Sequence, residues 1–184
     1  MNKLLTLVIP TYNMEAFLPD CLNTLIVEDE LMPLLEVLII IDGSTDQSAQ
    51  IGQEFADRYP DTFRVIIKSN GNYGSCVNRG IDEAQGKYIK TIDADDKCKE
   101  GSLQLFLRQI SEVDADMIIS DYAGWNMQTG HIDHFHAVAE GRLDGRRDVG
   151  RGDEKHVREV VVNVEVVVME GPVLLRVKRF QQRG

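Results

Sequence analysis

The sequence predicts an α/β fold: a mostly parallel sheet flanked by helices, followed by an atypical C-terminal tail. Three observations carry that expectation. Through residue 122, short continuous apolar runs alternate with segments whose apolar residues recur at helical spacing. The polar and acidic residues that interrupt this pattern sit directly after the apolar runs. From residue 137 onward the chain contains no Ile, Ser or Thr, although all three are common before it. Strands separated by helices imply a parallel sheet covered on both faces. Such sheets bind ligands beyond the carboxyl ends of their strands.

The elements follow in order. Residues 4–9 (LLTLVI) form a buried strand, broken by Pro10-Thr11-Tyr12-Asn13. Phe17, Leu18, Cys21, Leu22 and Leu25 recur at helical spacing, so residues 14–27 are expected as an amphipathic helix. Residues 35–41 (LEVLIII) form a second strand. Gly43-Ser44-Thr45-Asp46 turns into a helix that Ser44 or Thr45 can cap, with Asp46 suited to its positive end. Phe55, Ala56 and Tyr59 give that helix its apolar face. Residues 63–68 (FRVIIK) are a third strand, followed by the glycine-rich loop Asn70-Gly71-Asn72-Tyr73-Gly74. Val77, Ile81 and Ala84 line a third helix, with Gly86 as its expected C-cap. Residues 88–92 (YIKTI) are a fourth strand running into Asp93-Ala94-Asp95-Asp96. Residues 101–112 are helical, and residues 116–122 are a fifth strand. In the tail, residues 157–169 and 173–177 can each form a strand.

Composition bounds the function. A hydrophobic fraction of 43% and a charged fraction of 27% are those of a soluble globular protein. A formal net charge of -10 argues against nucleic acid as a partner, because phosphate binding needs a basic surface. No apolar run approaches the length of a membrane span, and no signal peptide is evident at the start. Cys21, Cys76 and Cys98 are odd in number and lack zinc spacing, so reduced thiols in a cytoplasmic protein are expected.

The chemistry concentrates at the strand ends. Asp93 and Asp95 are separated by one residue and can aim two carboxylates at one ion. Hard divalent cations prefer oxygen, and Mg2+ commonly takes one or two carboxylates plus substrate phosphates and water. The cluster therefore fits a half-built site that a diphosphate completes. The competing explanation is that Asp95 and Asp96 cap the helix near residue 101 or solvate a loop. Asp42 can accept a hydrogen bond from a base N–H or a ribose hydroxyl, with Gly43 admitting close backbone approach, or it can make an Asx-type turn. Around the base, Tyr12 can stack or Thr11 can bond, while Asn13 can also cap the next helix. Lys68 and Arg79 are the basic residues nearest the third loop; each can meet a phosphate or remain a solvated surface charge.

Together these pieces resemble the family 2 glycosyltransferases, enzymes of the Rossmann-like GT-A fold that use nucleotide-sugar donors. The matching stretches are LVIPTYNMEAFLPDCLNTL, EVLIIIDGSTDQSAQI, KSNGNYGSCVNRGIDEAQGKYIKTIDADD and DADMIISDY. They cover about residues 4–125, and NYGSCVNRG is similar to bacterial members that build surface polysaccharide. The resemblance implies that Asp42 contacts the uracil or ribose and that Pro10, Thr11 and Tyr12 border the base. It implies that Asn70, Gly74, Asn78 and Gly80 border the nucleotide. Asp93 and Asp95 match the Asp-x-Asp motif, which with Ala94 borders the nucleotide, and Asp96 matches the acidic residue often beside it. Mg2+ or Mn2+ is then the implied cofactor, held by Asp93, Asp95 and Asp96. The implied partners are a nucleotide-diphosphate sugar, often a uridine diphosphate sugar, and a glycan or lipid-linked acceptor, with inversion at the anomeric carbon. The implied location is the cytoplasm, with peripheral association at the inner face of the cell membrane left open, as is the oligomeric state.

Two departures from the family pattern stand out. Ile41 replaces the acidic or polar residue that often precedes the aspartate at 42. The acceptor half, with its catalytic carboxylate, is not recognisable, so no catalytic residue is assigned; Asp153 and Glu154 lie in the altered tail and do not inherit the role. The expected division is a nucleotide-sugar-binding domain over 1–125 and a divergent or truncated acceptor region over 126–184. That tail is either native and divergent or a frameshifted junction near residue 136. Two functions follow: a glycosyltransferase, or a catalytically incomplete nucleotide-sugar-binding module. A phospho-acceptor signalling domain fits less well, since it needs acidic residues after the first strand, where this chain has Pro10-Thr11-Tyr12-Asn13.

Overall fold

The structure, a computed structural model, describes residues 2–115, 117–125, 132–135 and 166–172. Four strands, β1 (Leu5–Thr11), β2 (Leu35–Asp42), β3 (Phe63–Lys68) and β4 (Tyr88–Thr91), pair parallel in the order β3-β2-β1-β4. Helices α1 (Leu18–Asn23), α2 (Ser48–Arg58) and α3 (Asn72–Glu83) occupy the connections, and α4 (Ser102–Ser111) follows β4. A second sheet pairs β5 (Met117–Trp125) antiparallel with β6 (Ile132–Phe135) and parallel with β7 (Val166–Pro172). The α/β architecture with a mostly parallel sheet is therefore as expected.

The continuous apolar runs arise because both sheet faces are covered. Leu5, Leu7 and Ile9 of β1 join Val37, Ile39 and Ile41 of β2 in one cluster, with Leu18, Cys21 and Leu22 of α1 and Leu103, Phe106, Leu107 and Ile110 of α4. The intervening residues, Val8, Leu38 and Ile40, face the other way and meet Cys76 of α3. That is the two-residue alternation of a strand. Each fully buried Leu or Ile contributes about 1.5–3 kcal/mol, so the central strands anchor the fold.

Several local expectations are corrected. Pro10 does not end the first strand; β1 continues to Thr11 by pairing with β2. Leu4 and Val8 accept the N–H groups of Tyr88 and Ile92, so alternate residues of β1 face β4. Pro10 continues that set, but β1–β4 pairing ends at Val8↔Thr91, so its missing N–H is not required. The first helix covers only Leu18–Asn23, not 14–27. Asn13 has φ +52°, and the N–H groups of Met14 and Glu15 donate to Ser48 and Asp46, so this stretch belongs to a loop junction. At the far end, Thr24, Leu25 and Ile26 donate to carbonyls three residues back, and the helix tightens and stops.

Neither Ser44 nor Thr45 caps α2. Instead, Asp46 accepts the Ser48 N–H at 3.0 Å, at the positive end where an aspartate was expected. Gly86 is not a C-cap. A Cβ there would lie 2.5 Å from the Thr6 nitrogen, so glycine is needed for close approach to β1. On α3, the buried positions are Cys76 and Gly80, with Val77, Ile81 and Ala84 half-buried beside them. In the tail, β7 overlaps the expected 157–169 strand at 166–169 and runs on to Pro172, while 157–165 and 173–177 lie outside the described residues.

Candidate functional site

The strand order explains where a ligand crevice forms. The chain moves from β1 outward through β2 to β3, then returns to the other side of β1 for β4. The loops after β1 and β4 therefore diverge, and a crevice opens at such a switch point. Pro10 and Thr11 end β1, with Tyr12 directly after them, and residues 93–96 follow β4. Asp42 and the loop after β3 lie alongside.

The loops after β1 and β2 are laced together. Asn13 Oδ1 accepts the Thr45 N–H at 2.9 Å, and the Ser44 hydroxyl accepts the Asn13 N–H at 3.1 Å. Asp46 Oδ2 accepts the Glu15 N–H, and Glu15 Oε2 accepts the Gln47 N–H, both at 2.9 Å. The buried Ser48 hydroxyl accepts the Met14 N–H at 2.9 Å. Asn13 thus bonds across to the second loop and does not cap α1. The lacing leaves the Tyr12 side chain about half exposed (51%) at the crevice edge. Thr11 is buried, and its hydroxyl donates to the Ile9 carbonyl at 3.0 Å; Pro10 is half-buried.

Asp42 is buried at the end of β2, only 3% exposed. Its carboxylate pairs with the Lys68 ammonium, and its Oδ1 also accepts the Gly71 N–H at 2.9 Å. Burial opposes its charge, but the Lys68 ammonium and the Gly71 and Asn72 amides outweigh that and hold its carboxyl below the usual range. The Asn70 side-chain amide donates to the Asp42 carbonyl at 3.0 Å. Gly43 follows at φ +68°, and a Cβ there would lie 3.0 Å from the Asn70 nitrogen, so the two loops touch through backbone. Lys68 also donates to the Ser75 hydroxyl at 2.9 Å and the Ser69 carbonyl at 2.7 Å. It is therefore neither a free surface charge nor a group aimed at a phosphate. Arg79 pairs with Glu83 at 2.7 Å along α3.

Residues 93–96 form a tight turn in which the Asp96 N–H donates to the Asp93 carbonyl at 2.9 Å. Ala94 is buried, while Asp93, Asp95 and Asp96 are exposed. The turn is anchored on α1: Lys97 pairs with Asp20 at 2.6 Å, and the Thr24 hydroxyl accepts the Cys98 N–H at 3.1 Å. The N-cap of α4 is Gly101, with no side chain bonded there, so Asp95 and Asp96 do not cap that helix. The Asp96 carboxyl is pushed up, first by burial, then by the charges of Asp93 and Asp95, against the pull of Lys90. Asp93 and Asp95 are hard-oxygen donors on one turn, beside a third carboxyl that feels their charge. Among the described residues, no group of three His, Cys, Asp or Glu side chains is placed to hold a metal ion.

Asn70 and Gly74 are exposed on the loop and first turn of α3, and Asn78 is exposed farther along α3. Gly80 faces the sheet; a Cβ there would lie 2.3 Å from Val8 Cγ1, so its role is packing. Sequence reasoning missed two participants. From the sequence alone, Lys68 is only a basic residue near the third loop. Tyr73, 54% exposed, donates its phenol to Asp93 Oδ1 at 2.9 Å. Burial and the Asp93 carboxylate push its pKa up to about 12. Its signal was an aromatic residue set in an otherwise small and polar loop.

Residues 6–161 match the family model described as glycosyl transferase family 2. Relatives include the glycosyltransferase GlyG of Streptococcus pneumoniae, 31% identical over 76% of this chain and 46% of GlyG. Among solved structures, S. aureus TarS 1-349 in complex with UDP-GlcNAc superposes with a TM-score of 0.60 at 28% identity, covering 67% of this chain and 36% of that one. A mannosyltransferase from Pyrobaculum calidifontis, solved with GDP-Man and Mn2+, shares the fold with a TM-score of 0.55 at 18% identity, over 65% of this chain and 36% of its own. The chain spans less than half the length of GlyG and of the TarS chain.

Proposed function

The chain belongs to glycosyl transferase family 2 and has its Rossmann-like GT-A fold, and from that premise we propose that it binds a nucleotide-diphosphate sugar and transfers the sugar. The donor is a uridine diphosphate sugar, and the acceptor is a glycan or lipid-linked saccharide in surface polysaccharide synthesis, with inversion. The transfer takes place in the cytoplasm, at or near the inner face of the membrane. The carrying observation is the arrangement of the strand ends: Asp42 at the end of β2 and residues 93–96 after β4 belong to one parallel sheet and are both contacted from residues 71–73. TarS, which was solved with UDP-GlcNAc, supports this choice of donor.

In this reading the Tyr12 ring, half exposed, stacks against the base, and Asp42 accepts a hydrogen bond from the base or ribose. Its carboxylate is already ionised and held still, so little ordering is required on binding. Pro10 and Thr11 shape the floor beside Tyr12, while Asn70, Gly74 and Asn78 border the nucleotide and Ala94 places the residues 93–96 turn. Asp93 and Asp95 would hold Mg2+ or Mn2+, with Asp96 beside them. When bound, the cation neutralises charge on the departing diphosphate.

Titration calorimetry tests this. Uridine diphosphate should bind the purified chain more tightly with Mn2+ than with chelator, and Asp95→Ala should abolish the difference. Equal binding in chelator would sink the metal role. A second reading, a donor-binding module with incomplete catalysis over 1–125 and an altered region over 126–184, is favoured by the composition change at residue 137. Donor hydrolysis or transfer to a panel of acceptors separates the two, because clear turnover excludes the incomplete module.

A further inference from the structure

Residues 68–73 touch both ends of the crevice. Lys68 and the Gly71 N–H hold the Asp42 carboxylate, and Asn70 holds the Asp42 carbonyl. Five residues beyond Lys68, the Tyr73 phenol donates to Asp93 Oδ1 at 2.9 Å. That bond joins the first turn of α3 to the turn after β4. The Tyr73 side chain is 54% exposed, so its ring adds little to the core. Its polar contact, on a carboxylate at the crevice edge, is the notable one. A phenol donating to a carboxylate makes a charge-assisted bond and fixes the plane of the acceptor.

We propose that Tyr73 is a positioning residue that sets the Asp93 carboxylate for a divalent cation. The inference rests on the metal-assisted donor binding proposed above. With Oδ1 occupied by the phenol, Asp93 meets the cation in one preset orientation. Because residues 68–73 also hold Asp42, the same segment ties the cation side of the crevice to the base side. Hydrogen-bond partners of ligating groups commonly contribute about 10–100-fold to metal affinity.

The test uses the full chain, with uridine diphosphate as probe, titrated with saturating Mn2+ and again with chelator. The readout is the ratio of the two affinities. Tyr73→Phe keeps the ring and removes the donor. It should shrink the ratio about 10-fold and leave the affinity in chelator unchanged. Asp93→Asn should shrink the ratio as well, and the double variant should be no worse than Asp93→Asn alone, because Tyr73 acts through Asp93. A Tyr73→Phe ratio equal to wild type overturns the role of Tyr73, as does a double variant that loses both effects additively. A wild-type ratio of one overturns the metal reading itself, a distinguishable outcome.

Discussion

Asp42 and Lys68 are direct partners across the β2–β3 ladder, and their side chains form an ion pair at the ends of those strands. The pair sits at the carboxyl edge of the sheet, with Asp42 buried and the Lys68 side chain 19% exposed. A carboxylate placed there without a cation would be a costly buried charge. The register of two parallel strands supplies that cation.

The Asp42 carboxyl lies below its ordinary range in the folded chain. A depressed folded-state pKa contributes stability that is present above the unfolded value of about 3.9 and lost as pH falls through the folded value. Asp42 should therefore add to stability at neutral pH and lose its contribution only below about pH 4. In Lys68→Met, burial would face only the backbone amides, so the carboxyl should titrate at higher pH. Carbon-detected NMR of the Asp42 carboxyl reads this directly. An unchanged midpoint would show that Lys68 is not the principal counterweight.

Lys68→Met should also destabilise the fold at neutral pH by about 1.5–3 kcal/mol, the range for hydrogen bonds to charged groups. Urea unfolding measures the loss. Replacing both partners, as in Lys68→Met with Asp42→Asn, should recover part of it, since no charge is then left unpaired.

Two glycines of α3 should respond with opposite sign. In Gly80→Ala the new methyl meets the fully buried Val8 at 2.3 and 2.6 Å from its two γ carbons. Overpacking of this kind costs about 1–3 kcal/mol, more than the ~1 kcal/mol that alanine gains over glycine in helix propensity. Gly74→Ala meets only Asn72 Oδ1 at 3.5 Å, so it should be neutral or stabilising, by up to about 1 kcal/mol. Equal changes in urea midpoint for the two variants would contradict the close approach of α3 to β1.

Asp46 accepts two backbone N–H groups, from Ser48 at the start of α2 and from Glu15 in the loop after β1. Asp46→Ala should cost about 0.5–2 kcal/mol, as for a lost cap. It should also raise hydrogen exchange at the Glu15 and Ser48 amides. Asp46→Asn retains acceptor oxygen and should lose less. Protection at Glu15 that survives in Asp46→Ala would mean that the Ser44 and Ser48 contacts hold the junction unaided.

Much of the fold was legible because its causes are local or periodic. β2 is buried along its whole length at the centre of the sheet, and a strand buried on both faces reads as a near-continuous apolar run; β3, at the sheet edge, is only half-buried, yet its bounds match the expected 63–68. The start of α1 was not legible. Met14 and Glu15 fit a helical pattern, but their amides bond to Ser48 and Asp46, more than 30 residues away. From the sequence Gly80 reads as a nucleotide-bordering residue and Gly86 as a C-cap, whereas both admit close contact with β1.

The sequence by itself determined the alternation of strands and helices, the placing of Asp42 and residues 93–96 at strand ends, and the family resemblance that the matched model bears out. Those properties follow from residue type and order along the chain. Only the tertiary structure decided that β4 returns beside β1, that Lys68 faces Asp42, and that Tyr73 reaches Asp93. Each of these depends on strand register and helix approach, which are set by packing between segments distant in sequence and leave no periodic mark on the chain.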